Sequence, residues 1–305
     1  MDKNKIIGQY QNGNYIVTIY EDGTKIRENN LEELIPSFAE SIDLTITNKC
    51  DGLCGFCYMD CNPNKPHAEL LLNRDNLWNS LHPYIELALN VNDMTHPELN
   101  DFLLLLKEKN VIPNITINMR HLNSNYYKIL ELIDKKLIHG VGISYDRNYF
   151  DKKMIKMIKN IPNSVIHVIA GILEIKDIQK LSNKNLKLLI LGYKNKGRGK
   201  KYFNKNIKLN IKILSWYISH ILNNFEVVAL DNLALDQLKI KRIIPEKQWS
   251  KIYNGDEGQY TFFIDLVNNK FAISSSEEEL YDINNMDIDE MFNYIQSVRK
   301  ERGLI

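Results

Sequence analysis

Cys50-Asp51-Gly52-Leu53-Cys54-Gly55-Phe56-Cys57-Tyr58, followed by Cys61, gathers all four cysteines of a 305-residue chain within twelve positions. Random scatter would almost never do this, and thiolates are soft metal ligands. Three of them at spacings of four and three, in a flexible loop, suit an iron–sulfur cluster better than a tetrahedral zinc. Structural zinc sites usually draw two short Cys/His knuckles from separate parts of a chain. The rest of this sequence offers no second knuckle.

Just before the loop, residues 41–47 alternate apolar and polar side chains as a half-buried strand does. The cysteines therefore begin beyond a strand's carboxyl end, where α/β folds place ligands because loops there vary without disturbing the core. Working outward, helices are expected at 73–81, 97–109, 124–135, 150–159 and 174–181, and further strands at 84–89, 114–118, 137–144, 164–170 and 186–191. Strands alternating with helices imply parallel pairing, since parallel strands need crossover connections. The expected fold is α/β: a partial (β/α)6 TIM-like barrel over residues 38–230.

Residues 6–28 read as a small β meander, with Asn12-Gly13 and Asp22-Gly23 as turn signals, and residues 1–37 as a cap over one barrel end. After the sixth core strand come a basic loop at 192–206, an amphipathic helix at 211–222, a seventh strand at 226–230 and a short helix at 234–241. A hairpin of 259–267 and 270–274 around Asn268-Asn269 and a final helix at 288–302 complete an extension, 231–305, packing on the core.

With 44% hydrophobic and 25% charged residues the chain can build a sizeable core. A net charge of +1 provides no global field toward nucleic acid or membrane. No apolar run is long enough to span a bilayer, the charged amino terminus lacks a signal-peptide core, and clustered thiols point to a reducing compartment; the expectation is a cytoplasmic protein.

Cys-x3-Cys-x2-Cys directly after the first strand of a repeating βα chain resembles the radical S-adenosylmethionine (radical SAM) superfamily. Cys50, Cys54 and Cys57 match its cluster ligands, and Phe56 supplies the aromatic that usually precedes the third cysteine. The layout also resembles little-characterised radical SAM proteins of phages and low-GC bacteria, through Asp22-Gly23-Thr24-Lys25-Ile26-Arg27, Asn114-Ile115-Thr116-Ile117-Asn118 and Leu191-Gly192-Tyr193-Lys194 with Gly197-Arg198-Gly199. The resemblance implies a [4Fe-4S] cluster with one iron left open for S-adenosylmethionine (SAM). It further implies reductive cleavage to a 5′-deoxyadenosyl radical, hydrogen abstraction from a small molecule, a peptide or, less readily, a nucleic acid, and a reductant such as flavodoxin or ferredoxin. The family's Gly-Gly-Glu-like motif is replaced by Asn90-Val91-Asn92-Asp93, so Asn92 or Asp93 is expected to supply acceptors to the SAM ammonium. Ser144 and Asp146, Gly171, and Tyr193 with Lys194 stand at later strand ends where the family contacts SAM.

Other features allow a second reading each. Cys61 is a fourth ligand, a redox-active bystander or a buried thiol. The cations of 192–206 are a solvated surface or an anion site, with Gly197-Arg198-Gly199 presenting an arginine fork to carboxylate or phosphate. His67, His82, His96, His121 and His139 show no metal pair, and Asp231, Asp256, Glu257 and Asp265 read as turn residues or cavity lining. A cluster-bearing barrel without catalysis, with Asn90–Asp93 as an altered SAM site, is the alternative function. A four-thiol interaction module is a third.

Overall fold

The computed structural model describes residues 5–30 and 33–304. Strands β1 (Ile6–Asn12), β2 (Tyr15–Tyr20) and β3 (Lys25–Glu28) form an antiparallel sheet in that order. Its turns carry Gly13 at φ +54° and Gly23 at φ +89°, a region glycine enters without a Cβ penalty.

The core then alternates: β4 (Ser41–Thr45), α1 (Asp75–Asn79), β5 (Glu86–Asn92), α2 (Leu99–Glu108), β6 (Ile112–Asn118), α3 (Met119–Asp134), β7 (Gly140–Ser144), α4 (Lys152–Asn160), β8 (Ser164–Ile169), α5 (Ile175–Leu181) and β9 (Lys187–Leu191). It continues through α6 (Gly197–Tyr202), α7 (Lys205–Asn224), β10 (Val227–Leu230), α8 (Asn232–Gln237), a 3-10 turn at Ile240–Arg242 and α9 (Glu246–Ile252). The chain ends with β11 (Thr261–Asp265), β12 (Lys270–Ala272), β13 (Tyr281–Asp282) and α10 (Ile288–Glu301).

Strands β4 to β10 lie side by side in chain order, all parallel, in a ten-stranded sheet. This is the expected partial TIM-like barrel. One face is apolar: Ile42, Leu44, Leu87, Leu89, Ile115, Ile117, Val141, Ile143, Ile166, Val168, Leu188 and Ile190 are buried in one cluster with helix residues such as Leu77, Phe102, Leu122 and Ile158. The period-two alternation turns the other residues inward, where Asp43, Ala88 and Ala229 are exposed and Asn114, Thr116 and His167 half-buried. The inner face is therefore accessible.

The amino-terminal sheet closes one end of this space. Glu40, immediately before β4, is fully buried; its Oε1 accepts from the Tyr15 hydroxyl at 2.7 Å and Arg27 Nε at 2.7 Å, and its Oε2 faces Lys25 Nζ at 3.4 Å. Lys25 also pairs with Glu86, the first residue of β5, at 2.7 Å. The Glu21 carbonyl accepts from Asn163 Nδ2 at 2.9 Å and meets His139 Nε2 at 3.0 Å, just ahead of β8 and β7. All these partners stand at amino-terminal strand ends, which leaves the carboxyl end to the cysteine loop.

Three expectations need correction. Helix α3 starts at Met119 rather than at 124, because Ser124 returns its hydroxyl to the His121 carbonyl at 3.0 Å, an in-helix bond rather than a cap. The basic segment 192–206 is not all loop: α6 lies within it, and α7 starts at Lys205 on the Asn204 side chain, which caps the amides of Asn206 and Ile207. The carboxyl-terminal hairpin is present, but β11 also pairs in parallel with β4, from Thr261 opposite Ser41 to Asp265 opposite Thr45. The free edge of the first core strand is thereby covered, and an uncovered edge is a template for unwanted pairing.

Candidate functional site

The cysteine loop leaves β4 and is held from below by β5. Asn90 Oδ1 accepts from the Ile46 amide at 2.8 Å while its Nδ2 donates to the Thr47 carbonyl at 2.7 Å. Asn92 Nδ2 donates to the Lys49 carbonyl at 2.8 Å, from a backbone at φ +50° where asparagine is among the better tolerated residues. Inside the loop, the Cys50 amide bonds the Asn62 carbonyl at 3.1 Å and the Cys57 amide bonds the Cys54 carbonyl at 3.2 Å. Leu53 and Asp60 adopt positive φ at +47° and +53°, a conformation kept only where surroundings dictate it.

The sulfurs of Cys50 and Cys57 face hydrogen-bond donors that suit thiolates. Cys50 Sγ accepts from the Gly52 amide at 3.3 Å and from Asn118 Nδ2 at 3.3 Å, so the last residue of β6 spends its side chain on the loop instead of capping α3. A Cβ on Gly52 would lie 3.2 Å from Cys50 Sγ and 3.4 Å from Cys54 Sγ, so the missing side chain lets both sulfurs crowd the backbone. Hydrogen bonding from the Cys61 thiol, with the Arg198 charge nearby, holds the Cys57 thiol well below its usual range; burial opposes this. Burial raises Cys54, against the pull of Arg120. Among the described residues no three His, Cys, Asp or Glu side chains converge as the ligands of a single ion do. A four-iron cluster is broader than one ion, and the soft donors, the N–H groups on sulfur and the adjacent guanidinium groups fit it.

Cys61 is buried, with Sγ 3.8 Å from Asn48 Oδ1 and hydrogen-bonded to Cys57. It lies next to a candidate ligand rather than in a separate place.

The candidate SAM contacts divide into two groups. Asp93 Oδ1 accepts from the Thr95 amide at 3.1 Å and hydroxyl at 2.7 Å, closing its own turn, and Asn92 is engaged with the loop as above. Gly171, at φ +87°, accommodates α7: a Cβ there would come 2.8 Å from Ile207 Cγ2. The buried Tyr193 donates its hydroxyl to the Gly199 carbonyl at 2.7 Å, and its backbone exchanges bonds with the Gln237 amide at 2.8 and 2.9 Å. These four are tied into the framework. The others stand around the mouth. Phe56 meets Tyr202 edge to face at 6.0 Å, and Ser144 ends β7 beside Asn118. Asp146 accepts from Arg120 Nη2 at 3.3 Å, and Lys194 lies 4.3 Å from the Tyr58 ring centroid with Nζ donating to Ser275 Oγ at 2.5 Å.

Two inner-face residues were not among the sequence candidates, although strand alternation marks both. Asp43, on β4, lies in electrostatic range of Lys194 and Asp231; its side chain is open to the barrel interior, but enclosure by the surrounding protein raises its carboxyl, and Lys194 counters this. His167, on β8, stands over Gly142, where a Cβ would come 2.2 Å from its ring, and burial pushes its imidazole down to about 4. A histidine depressed in the folded state favours folding above its unfolded value and loses that contribution as pH falls toward its folded one. Stability is thus expected to drop by on the order of 1 kcal/mol from pH 7 to 5 through this group. Urea midpoints at both pH values check it, and His167→Asn should flatten the difference.

Asn92→Ala removes a side-chain bond and places alanine at positive φ. A loss of about 1–2 kcal/mol is expected, with faster amide exchange confined to the cysteine loop. Unchanged exchange there would refute a supporting role for β5.

Fold and site together describe an open parallel α/β barrel carrying a thiol-rich loop at the carboxyl end of its first core strand. SuiB of Streptococcus suis, solved bound to S-adenosylmethionine, has this fold: TM-score 0.58 and 12% identity, over 95% of this chain and 87% of SuiB. SuiB bound to its precursor peptide SuiA matches with TM-score 0.58 and 14% identity over 85% of this chain, which spans 65% of that SuiB chain. No protein-family model and no curated protein matches the sequence. Among the described residues no helix is long and apolar enough to cross a membrane.

Proposed function

We propose that the chain is a radical SAM enzyme acting in the cytoplasm, with Cys50, Cys54 and Cys57 as the ligands of a [4Fe-4S] cluster. The observation carrying this is the placement of the three thiols at the mouth of a partial barrel whose inner face is accessible. Such a cluster, when bound, supplies the electron for reductive cleavage of SAM to a 5′-deoxyadenosyl radical, which takes hydrogen from a substrate. The protein's own residues orient and shield. Asn90 and Asn92 hold the loop from below, and Asn118 and Gly52 direct N–H groups at Cys50. Phe56, Ser144, Asp146 and Lys194, in the loop after β4 and at or just beyond the carboxyl ends of β7 and β9, are the residues we expect to contact the cofactor. Asp43 and His167 face the interior, where a substrate would lie. SuiB was solved with a precursor peptide, and a peptide is the substrate class we favour here. A flavodoxin or ferredoxin would deliver the electron.

Anaerobic reconstitution with iron and sulfide, followed by SAM and a strong reductant, tests the reading: 5′-deoxyadenosine is expected. An intact cluster without that product would exclude it. One observation favours a second reading, a cluster-bearing barrel that binds without catalysis. Asn90, Asn92 and Asp93 all spend their side chains on local structure, where the family has its ammonium acceptor. Calorimetry separates the two, since the enzyme must bind SAM.

A further inference from the structure

The segment Gly197-Arg198-Gly199 lies far from the cysteines in sequence and against them in space. Arg198 Nε donates to the Cys54 carbonyl at 3.1 Å and Nη2 to the Cys61 carbonyl at 2.8 Å, while Nη1 stands 3.9 Å from Asp60. The Gly199 amide donates to the Cys57 carbonyl at 3.4 Å. One tripeptide thus meets the backbone oxygens of Cys54, Cys57 and Cys61.

The flanking glycines follow from that approach. Gly197 has φ +52°, and a Cβ on it would come 2.5 Å from the Tyr58 carbonyl oxygen. A Cβ on Gly199 would stand 2.8 Å from the Lys194 carbonyl oxygen and 3.1 Å from that of Phe56. The obstructing atoms are backbone, which cannot swing aside as a side chain would. The tripeptide is itself anchored: the Gly199 carbonyl accepts from Tyr193, whose backbone is fixed by Gln237 of α8, and Lys196 Nζ bonds the Glu277 carbonyl.

We propose that Gly197-Arg198-Gly199 is a clasp that keeps the cysteine loop in its ligand-presenting shape, with Arg198 as a positioning residue for the cluster. This rests on the cluster reading above. The guanidinium acts as a fork spanning two carbonyls; a lysine ammonium is a single point and cannot span them. The clasp also links the loop, through α6 and α8, to a part of the chain that carries no cysteine.

Three proteins are compared: wild type, Arg198→Gln and Arg198→Lys. After anaerobic reconstitution, iron loss to a ferrous chelator is expected to be about tenfold faster or more in both variants, since two charge-assisted bonds are lost or reduced. Hydrogen exchange of the protein before reconstitution is expected to quicken across residues 53–61, with the amides of β5 to β9 unchanged. Wild-type chelation and exchange in Arg198→Gln would overturn the clasp, and wild-type values in Arg198→Lys would overturn the forked contact as its cause. Arg198→Lys, which keeps charge and bulk, also serves if Arg198→Gln does not fold. If wild type itself takes up no cluster, the cluster reading fails, while the exchange comparison still decides whether the clasp holds the loop.

Discussion

Cys54→Ala is expected to leave the protein folded and without a cluster: after reconstitution, iron falls from about four per chain to near zero, and 5′-deoxyadenosine formation disappears with it. Three cysteines are the fewest that hold a four-iron cluster while leaving one iron open, so a two-cysteine loop has no ligand to spare. Cys54 is the informative one to remove. It sits in electrostatic reach of both Cys50 and Cys57, is only half-buried, and contributes little to the apolar core. The matching control is Cys61→Ala, which is expected to keep its iron. If Cys61→Ala lost the cluster as completely, Cys61 would be required for it, as a fourth ligand closing the open iron or through its hydrogen bond to Cys57. Iron and sulfide analysis with electron paramagnetic resonance reads both variants.

The second large effect concerns stability. Glu40→Ala is expected to cost about 3–5 kcal/mol, the usual penalty for removing one partner of a buried ion pair. Glu40 is fully buried at the closed end of the barrel, and its loss strands Arg27 and the Tyr15 hydroxyl together, while Lys25 keeps only Glu86. Arg27 and Lys25 have side chains only 15% exposed, so water cannot readily replace the carboxylate. The exposed pair Lys5–Glu21, at 3.1 Å with Lys5 59% exposed, provides the contrast: Lys5→Ala is expected to cost under about 1 kcal/mol. Urea unfolding of both variants gives the comparison. A loss at Glu40 no larger than at Lys5 would mean that the amino-terminal sheet does not lock the barrel end.

Much of the fold was legible because each strand is short, apolar on one side and followed by a helix of clear period. Residues 41–47, 84–89, 114–118, 164–170 and 186–191 of the sequence all contain observed strands or most of one. The misreadings arose where local chemistry has two uses. Ser124 has the composition of a cap but bonds within a helix that starts five residues earlier, at Met119. Gly197-Arg198-Gly199 read as part of a solvated surface or an anion site, whereas its glycines allow close backbone approach to the cysteine loop.

The sequence by itself determined the βα alternation and the place of the cysteine loop after the first core strand. These follow from periodicity and from a motif contained in one short segment. Only the tertiary structure decided what supports that loop. Arg198 reaches Cys54 and Cys61, Asn92 reaches Lys49, and β11 covers the edge of β4, across separations that no local pattern encodes. Barrel closure brings strand ends together regardless of their distance along the chain. The groups that hold the thiols are therefore written far from them.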